Sequence, residues 1–299
     1  MPSWNQILAE MVQAKDNGSK SALDDVRKKY ITRLHEHTGR NVICYYSAFM
    51  KNGSLPHLGI NDNDKNSLMA TVHEMDFSKG LDLIMHTPGG SVTAAESIIH
   101  YLNEVFDGDV RAIIPQAAFS AGTMIACGCK SIVMGKQSSL GPFDPHLGNY
   151  SCHNIIDELE EISGRIKDAP HEAMLWRPIL EKLDPTLYLQ CKHSIDLATS
   201  IVEHWLQKVM LKEVENKEEI ARSITSKLNK TSHTKDHSRH IHIHDAEEMG
   251  LIIERLEEDQ DLQDLVLSVH HSYMILIGES HVTKIVENQI GATQIMVAN

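Results

Sequence analysis

The chain has 299 residues and 33.5 kDa, 41% hydrophobic and 23% charged, enough apolar content for one large or two modest domains. That composition excludes a disordered, collagen-like or disulfide-scaffold chain. With 28 basic against 41 acidic residues, a net charge of −13 and no dense basic patch, it argues against nucleic acid as a partner.

Residues 1–40 read as polar and helical, with Ile7, Leu8, Met11 and Val12 spaced to share one face. Val42-Ile43-Cys44-Tyr45-Tyr46 reads as a short buried strand. Leu55–Asn66 reads as a polar loop leading into a helix around Ser67–Met75. A second strand, Leu81-Asp82-Leu83-Ile84-Met85, is stopped by Thr87-Pro88-Gly89-Gly90. Thr93–Phe106 has helical spacing in Ala94, Ile98, Leu102 and Val105. Val110–Pro115 is a third strand, Ser120–Cys127 opens a small-residue helix, and Ser131–Gly135 is a fourth strand before the turn Gly141-Pro142-Phe143-Asp144-Pro145. Strands and helices alternating at this rhythm indicate βαβ units on a largely parallel sheet. After residue 150 strand signals nearly vanish, and long helical segments are expected over 186–213 and 246–290. The expected architecture is an α/β core with a helical C-terminal half.

No stretch approaches the roughly 18 uninterrupted apolar residues of a membrane span, and Met1-Pro2-Ser3-Trp4-Asn5-Gln6 lacks the basic start and apolar run of a secretory signal. Five scattered cysteines (Cys44, Cys127, Cys129, Cys152, Cys191) suit a reducing compartment, so a cytoplasmic location is expected.

Two turns carry the chemistry. Gly89-Gly90 directly follows a strand, where paired glycines let bare backbone N–H groups approach a ligand. Ala117-Ala118-Phe119-Ser120-Ala121-Gly122-Thr123 follows the next strand and opens a helix, placing the Ser120 hydroxyl at a strand-to-helix elbow. Side by side, these turns make a nucleophile and an oxyanion hole built from the Gly90 and Ala121 amides. The plainer reading is a tight turn at Gly89-Gly90 and an ordinary N-cap at Ser120.

The run His86-Thr87-Pro88-Gly89-Gly90-Ser91-Val92-Thr93-Ala94-Ala95 resembles the proline-glycine-glycine turn of the Clp protease proteolytic subunit and its relatives. Ala118-Phe119-Ser120-Ala121-Gly122-Thr123 resembles their nucleophile elbow, in the same order and at similar spacing. Ser139-Leu140-Gly141-Pro142-Phe143-Asp144-Pro145 is most similar to one branch, the serine dehydrogenase proteinase family, related to the signal peptide peptidases. Clear resemblance covers residues 80–150, and Trp176-Arg177-Pro178-Ile179-Leu180-Glu181-Lys182 resembles the same branch more loosely. It implies a Clp/crotonase-like spiral of βαβ units: an N-terminal helical segment (1–40), a peptidase domain (41–255, with a helical insertion over 150–230) and a C-terminal helical extension (256–299). It also implies serine peptidase chemistry on a peptide or protein substrate, in a homo-oligomer, without metal or other cofactor. Any ATP-driven unfolding would come from a partner chain.

Serine needs a base. Clp proteases use histidine and signal peptide peptidases use lysine. Laid over the Clp pattern, the histidine position falls near Phe143, which cannot accept a proton. The resemblance to signal peptide peptidases points to Lys182, just ahead of a long helix, with Trp176, Ile179, Leu180 and Leu183 to desolvate it and Glu181 and Asp184 opposing. His146 stands as the alternative, and Lys192 and Lys167 as weaker ones. His233, His237, His240, His242 and His244 suggest a metal site at first sight. Their alternation fits a strand entering an acidic helix start, so a structural role is expected. Two rival readings are a crotonase-type acyl-CoA enzyme that would not need Ser120, and a catalytically silent scaffold of the same fold.

Overall fold

A computed structural model describes residues 4–148, 150–229 and 240–298. Helices α1 (Trp4–Asp16) and α2 (Ala22–Thr38) lead into β1 (Asn41–Ser47). Then come α3 (Asp62–Val72), β2 (Leu81–His86), α4 (Val92–Val105) and β3 (Val110–Ile114). The short β4 (Ala117–Ala118) and α5 (Ala121–Cys127) precede β5 (Ser131–Met134) and β6 (Ser139–Leu140). After β7 (His146–Leu147) and β8 (Tyr150–Ser151) the chain forms α6 (Cys152–Asp168), α7 (Ala173–Leu180), α8 (Leu187–Trp205) and α9 (Lys217–Asn229). It closes with α10 (Ile243–Met249), β9 (Ile253–Arg255), α11 (Gln260–Glu279), β10 (Val282–Asn288) and β11 (Thr293–Val297).

The central sheet has the order β11-β10-β1-β2-β3-β5-β9. The run from β1 to β9 is parallel, while β10 and β11 add antiparallel beyond β1. Its inner strands are apolar on both faces, as a sheet covered on both sides requires. Ile43, Tyr45, Leu83, Met85, Ala112, Ile114, Ile132 and Met134 face a core shared with α3, α4, α5, α8 and α9. Their alternates Val42, Cys44, Tyr46, Ile84, Ile113 and Val133 face α1, α2 and α11. This α/β spiral with a helical segment between β8 and β9 is the architecture expected. No helix among the described residues is long and apolar enough to cross a membrane.

Three expectations are corrected. In α1, Ile7 and Met11 are buried but Leu8 and Val12 are exposed, so the inward stripe is narrower than predicted. Helix α3 starts five residues earlier than expected, because Asn61 and Asp64 form a reciprocal capping box. The segment 256–299 is not a helical extension: only α11 is a long helix there, and β10 joins the main sheet. The sequence Val282-Thr283-Lys284-Ile285-Val286-Glu287-Asn288 hides this because it carries charges, yet all seven residues are buried.

Each of those charges is paired inside. Glu287 receives the guanidinium of buried Arg27 and, at 2.8 Å, the hydroxyl of Tyr273. Lys284 pairs with Asp64 at 2.8 Å. Removing one partner of such a pair strands a buried charge. Arg27→Met is therefore expected to cost about 3–5 kcal/mol, read as a lower urea midpoint. The double change Arg27→Met with Glu287→Gln should recover much of that loss.

Candidate active site

Strand β2 delivers the first turn to the second. Thr87 N–H donates to the Ala117 carbonyl at 3.1 Å, and Phe119 N–H donates back to the Thr87 carbonyl at 3.0 Å. The glycine turn is thereby laced to β4 and the elbow. Gly89 has φ +95°, and a Cβ there would stand 2.5 Å from the Phe119 carbonyl oxygen and 3.0 Å from the Ala121 amide nitrogen. Only a glycine allows the two turns to touch.

On its other side the turn meets Ile60. The Ile60 amide donates to the Gly89 carbonyl at 2.7 Å, and the Ser91 amide donates to the Ile60 carbonyl at 2.8 Å. In a trans peptide the C=O and the following N–H point in opposite directions. Fixing the Gly89 carbonyl on Ile60 therefore turns the Gly90 N–H away from Ile60. Gly90 lines the same cleft as Ser120.

Ser120 has φ +52° and ψ −117°, a strained backbone for a residue with a Cβ. Neighbouring bonds hold it there. Gly122 N–H donates to the Phe119 carbonyl at 2.8 Å and Met124 N–H to the Ser120 carbonyl at 3.1 Å. The Thr123 hydroxyl lies 2.8 Å from the Gly141 carbonyl and 3.0 Å from that of Ala118, tying the elbow to the 139–145 strap. The Ser120 side chain does not cap α5, so the N-cap reading does not describe it. Among the described residues, neither the Gly90 nor the Ala121 amide has a hydrogen-bond acceptor.

The cleft over Ser120 has a volume of about 460 Å³. One wall is Pro88, Gly90, Ser91, Val92 and Thr93, another is Asp144, Pro145 and His146, and α8 contributes Ser194 and Leu197. Asp144 and His146 are the titratable side chains of this lining. The Asp144 carbonyl accepts from His146 Nδ1 at 2.9 Å, which leaves Nε2 as the basic nitrogen of the neutral ring. Phe143, at the position where the Clp pattern places histidine, is buried in the core.

Lys182 is not among the residues lining this cleft; it is exposed just beyond α7. The apolar shell expected around it is absent, since Ile179 and Leu183 are themselves 51% and 38% exposed. Lys192 and Lys167 are likewise exposed and outside the cleft lining. The three-histidine face does not form either. Ile241 pairs with Leu140, the His240 ring packs edge-on to Phe119, and His244 lies in α10 beside Glu247. His233 and His237 lie outside the described residues. The sequence had offered one further signal, the Asp144-Pro145 pair of the strap, which the fold turns into a cleft wall.

Gly90 has no room for a side chain: a Cβ would stand 2.3 Å from the Ile60 amide nitrogen and 2.4 Å from its carbonyl oxygen. Gly90→Ala is expected to part the turn from Ile60 and to destabilise the fold by about 2 kcal/mol or more. Faster amide exchange at Ile60 and Ser91 would report the parting, whereas unchanged exchange there would contradict this geometry.

Over 98 residues the chain is 37% identical to the uncharacterized protein MJ0137 of Methanocaldococcus jannaschii, covering 33% of this chain and 34% of that protein. Over 97 residues it is 35% identical to the ATP-dependent Clp protease proteolytic subunit of Streptococcus salivarius, covering 30% of this chain and 49% of that subunit. The chain thus spans about a third to a half of the length of these curated relatives. A solved structure of the 1510-N membrane-bound stomatin-specific protease aligns over 66% of this chain and 92% of its own, at 18% identity and a TM-score of 0.27. The profile of the ClpP-like SDH-type serine proteinases matches residues 11–266, a span holding the glycine turn, the elbow, the strap and the helical segment that follows. The chain therefore belongs to the ClpP-like SDH-type serine proteinase family.

Proposed function

We propose that this chain is a serine peptidase that cleaves peptide bonds through an acyl-enzyme on Ser120. The observation that carries this reading is the elbow. A serine held in a strained backbone, with a hydroxyl that does not cap its helix, lines a cleft together with Gly90, and among the described residues neither the Gly90 nor the Ala121 amide has an internal acceptor. Strain of this kind persists only where the surroundings over-determine it, and it concentrates at reactive positions.

In this mechanism Ser120 Oγ attacks the carbonyl carbon of a peptide bound along the cleft. The Gly90 and Ala121 amides take up the charge that forms on the carbonyl oxygen. Collapse of the tetrahedral intermediate breaks the C–N bond and leaves an ester on Ser120, which water hydrolyses in a second, mirrored step. A base takes the hydroxyl proton and returns it to the leaving amine. His146 is supported in that role by its place in the cleft wall and by the Asp144 carbonyl that sets its tautomer. Lys182 is supported by resemblance alone and lacks the burial that a lysine base requires. Assembly into homo-oligomers belongs to the same reading and is supported by the apolar side chains exposed on α7 and α8. Among them Met174 is 83% and Leu189 54% exposed.

Labelling with a fluorophosphonate probe tests this. The wild-type chain should label and Ser120→Ala should not. His146→Ala should label about 10²- to 10⁴-fold more slowly, with Lys182→Ala close to wild type. Labelling that survives loss of Ser120 contradicts the nucleophile. Full-rate labelling of His146→Ala with loss in Lys182→Ala moves the base to Lys182. A folded wild type that never labels favours the silent scaffold, and acyl-CoA turnover retained in Ser120→Ala favours the crotonase-type enzyme.

A further inference from the structure

Lys284 and Asp64 form a buried ion pair far from Ser120 in sequence, and their contacts run to the site. Lys284 lies on β10, 1% exposed, directly across the ladder from Ser47 on β1. Its ammonium has three N–H bonds to place. Two go to the Asp64 carboxylate at 2.8 and 2.9 Å, and the third donates to the backbone carbonyl of Gly59 at 2.8 Å. Asp64 in turn accepts the Tyr45 hydroxyl at 2.8 Å and the Asn61 amide at 2.9 Å. The Ser47 hydroxyl donates to the Leu58 carbonyl at 2.8 Å. Two consecutive carbonyls of the loop, Leu58 and Gly59, are thus anchored on neighbouring strands, and the next residue is Ile60.

Ile60 is the residue that sets the glycine turn, through Ile60 N–H to Gly89 carbonyl and Ser91 N–H to Ile60 carbonyl. The Gly59 position also abuts the turn, since a Cβ there would stand 3.3 Å from the Gly89 carbonyl oxygen. A buried ion pair is replaceable by apolar residues when it serves stability alone. An apolar side chain cannot donate to the Gly59 carbonyl, so this lysine has a task that the pairing energy does not exhaust.

We propose that Lys284 is a positioning residue of the oxyanion hole: through Gly59 and Ile60 it holds the Gly89–Gly90 peptide plane with the Gly90 N–H facing the cleft. This inference rests on the reading of Ser120 as the nucleophile of a peptidase. Burial pulls the ammonium's pKa down while Asp64 supports its charge. The strand-to-loop contact is lost when the lysine is replaced by a side chain that cannot donate to the Gly59 carbonyl.

The test compares wild type, Lys284→Met and the double variant Lys284→Met with Asp64→Asn. The double variant leaves no unpaired buried charge, so it folds even where the single variant does not. Each is assayed per folded molecule for the rate of phosphonylation by a fluorophosphonate and for kcat and KM on a peptide ester. Displacement of an oxyanion donor lowers kcat and the phosphonylation rate by about 10- to 100-fold, with KM close to unchanged. That split in the folded double variant is the expected result. A double variant that folds and reacts at the wild-type rate overturns the inference alone, as does a loss confined to melting temperature. A wild type that does not label through Ser120 overturns the parent reading, and this inference with it.

Discussion

The orientation of one peptide group, Gly89–Gly90, governs the geometry of the whole site. Its carbonyl is committed to the Ile60 amide, and its N–H is thereby committed to the opposite side. Every element around it serves that commitment. Strand β2 brings the turn to the level of β4. Glycine at position 89 admits the elbow to within contact distance, and the loop before α3 meets the turn from behind. A backbone donor presented in this way needs no reorganisation when charge appears opposite it, the condition under which electrostatic stabilisation is most effective.

Ser120 stores the complementary strain. A residue with a side chain at φ +52° costs about 1–3 kcal/mol relative to a relaxed turn. The cost is offset locally, by the Phe119–Gly122 and Ser120–Met124 backbone bonds and by Thr123, whose hydroxyl joins the elbow to the strap. The strap places Asp144 and His146 in the opposite wall, so one threonine couples Ser120, the proposed nucleophile, to the side chain proposed as its base. The buried pairs Arg27–Glu287 and Lys284–Asp64 fasten β10 to α2 and α3, and the second pair extends to the loop that carries Ile60.

Much of this was legible in the sequence because it rests on local rules. Four apolar strands punctuated by glycine, proline or small residues gave the parallel sheet. The Pro88-Gly89-Gly90 turn and the Phe119-Ser120-Ala121-Gly122 elbow stood out because few residue types tolerate such backbones. What was not legible depends on partners distant in sequence. β10 falls in the stretch expected to be a helical extension, and its charges hide a buried strand that Arg27 and Asp64 neutralise inside. Lys182 has neighbours that are apolar in sequence, yet α7 turns Met174 and Ile179 outward. His146, offset from the Clp pattern, stands only as the alternative base in the sequence, and the fold after the 139–145 strap puts it in the cleft wall. The histidine alternation at 240–244 predicts a strand, whereas in the fold only Ile241 pairs with β6 and a helix begins at Ile243.

The most direct measurement is a crystal structure of the chain reacted with a peptidyl boronate. The account requires boron bonded to Ser120 Oγ and one boronate oxygen at roughly 3 Å from both the Gly90 and the Ala121 amide nitrogens. An adduct on Ser120 with that oxygen turned away from Gly90, or a Gly89–Gly90 peptide flipped off Ile60, would contradict it.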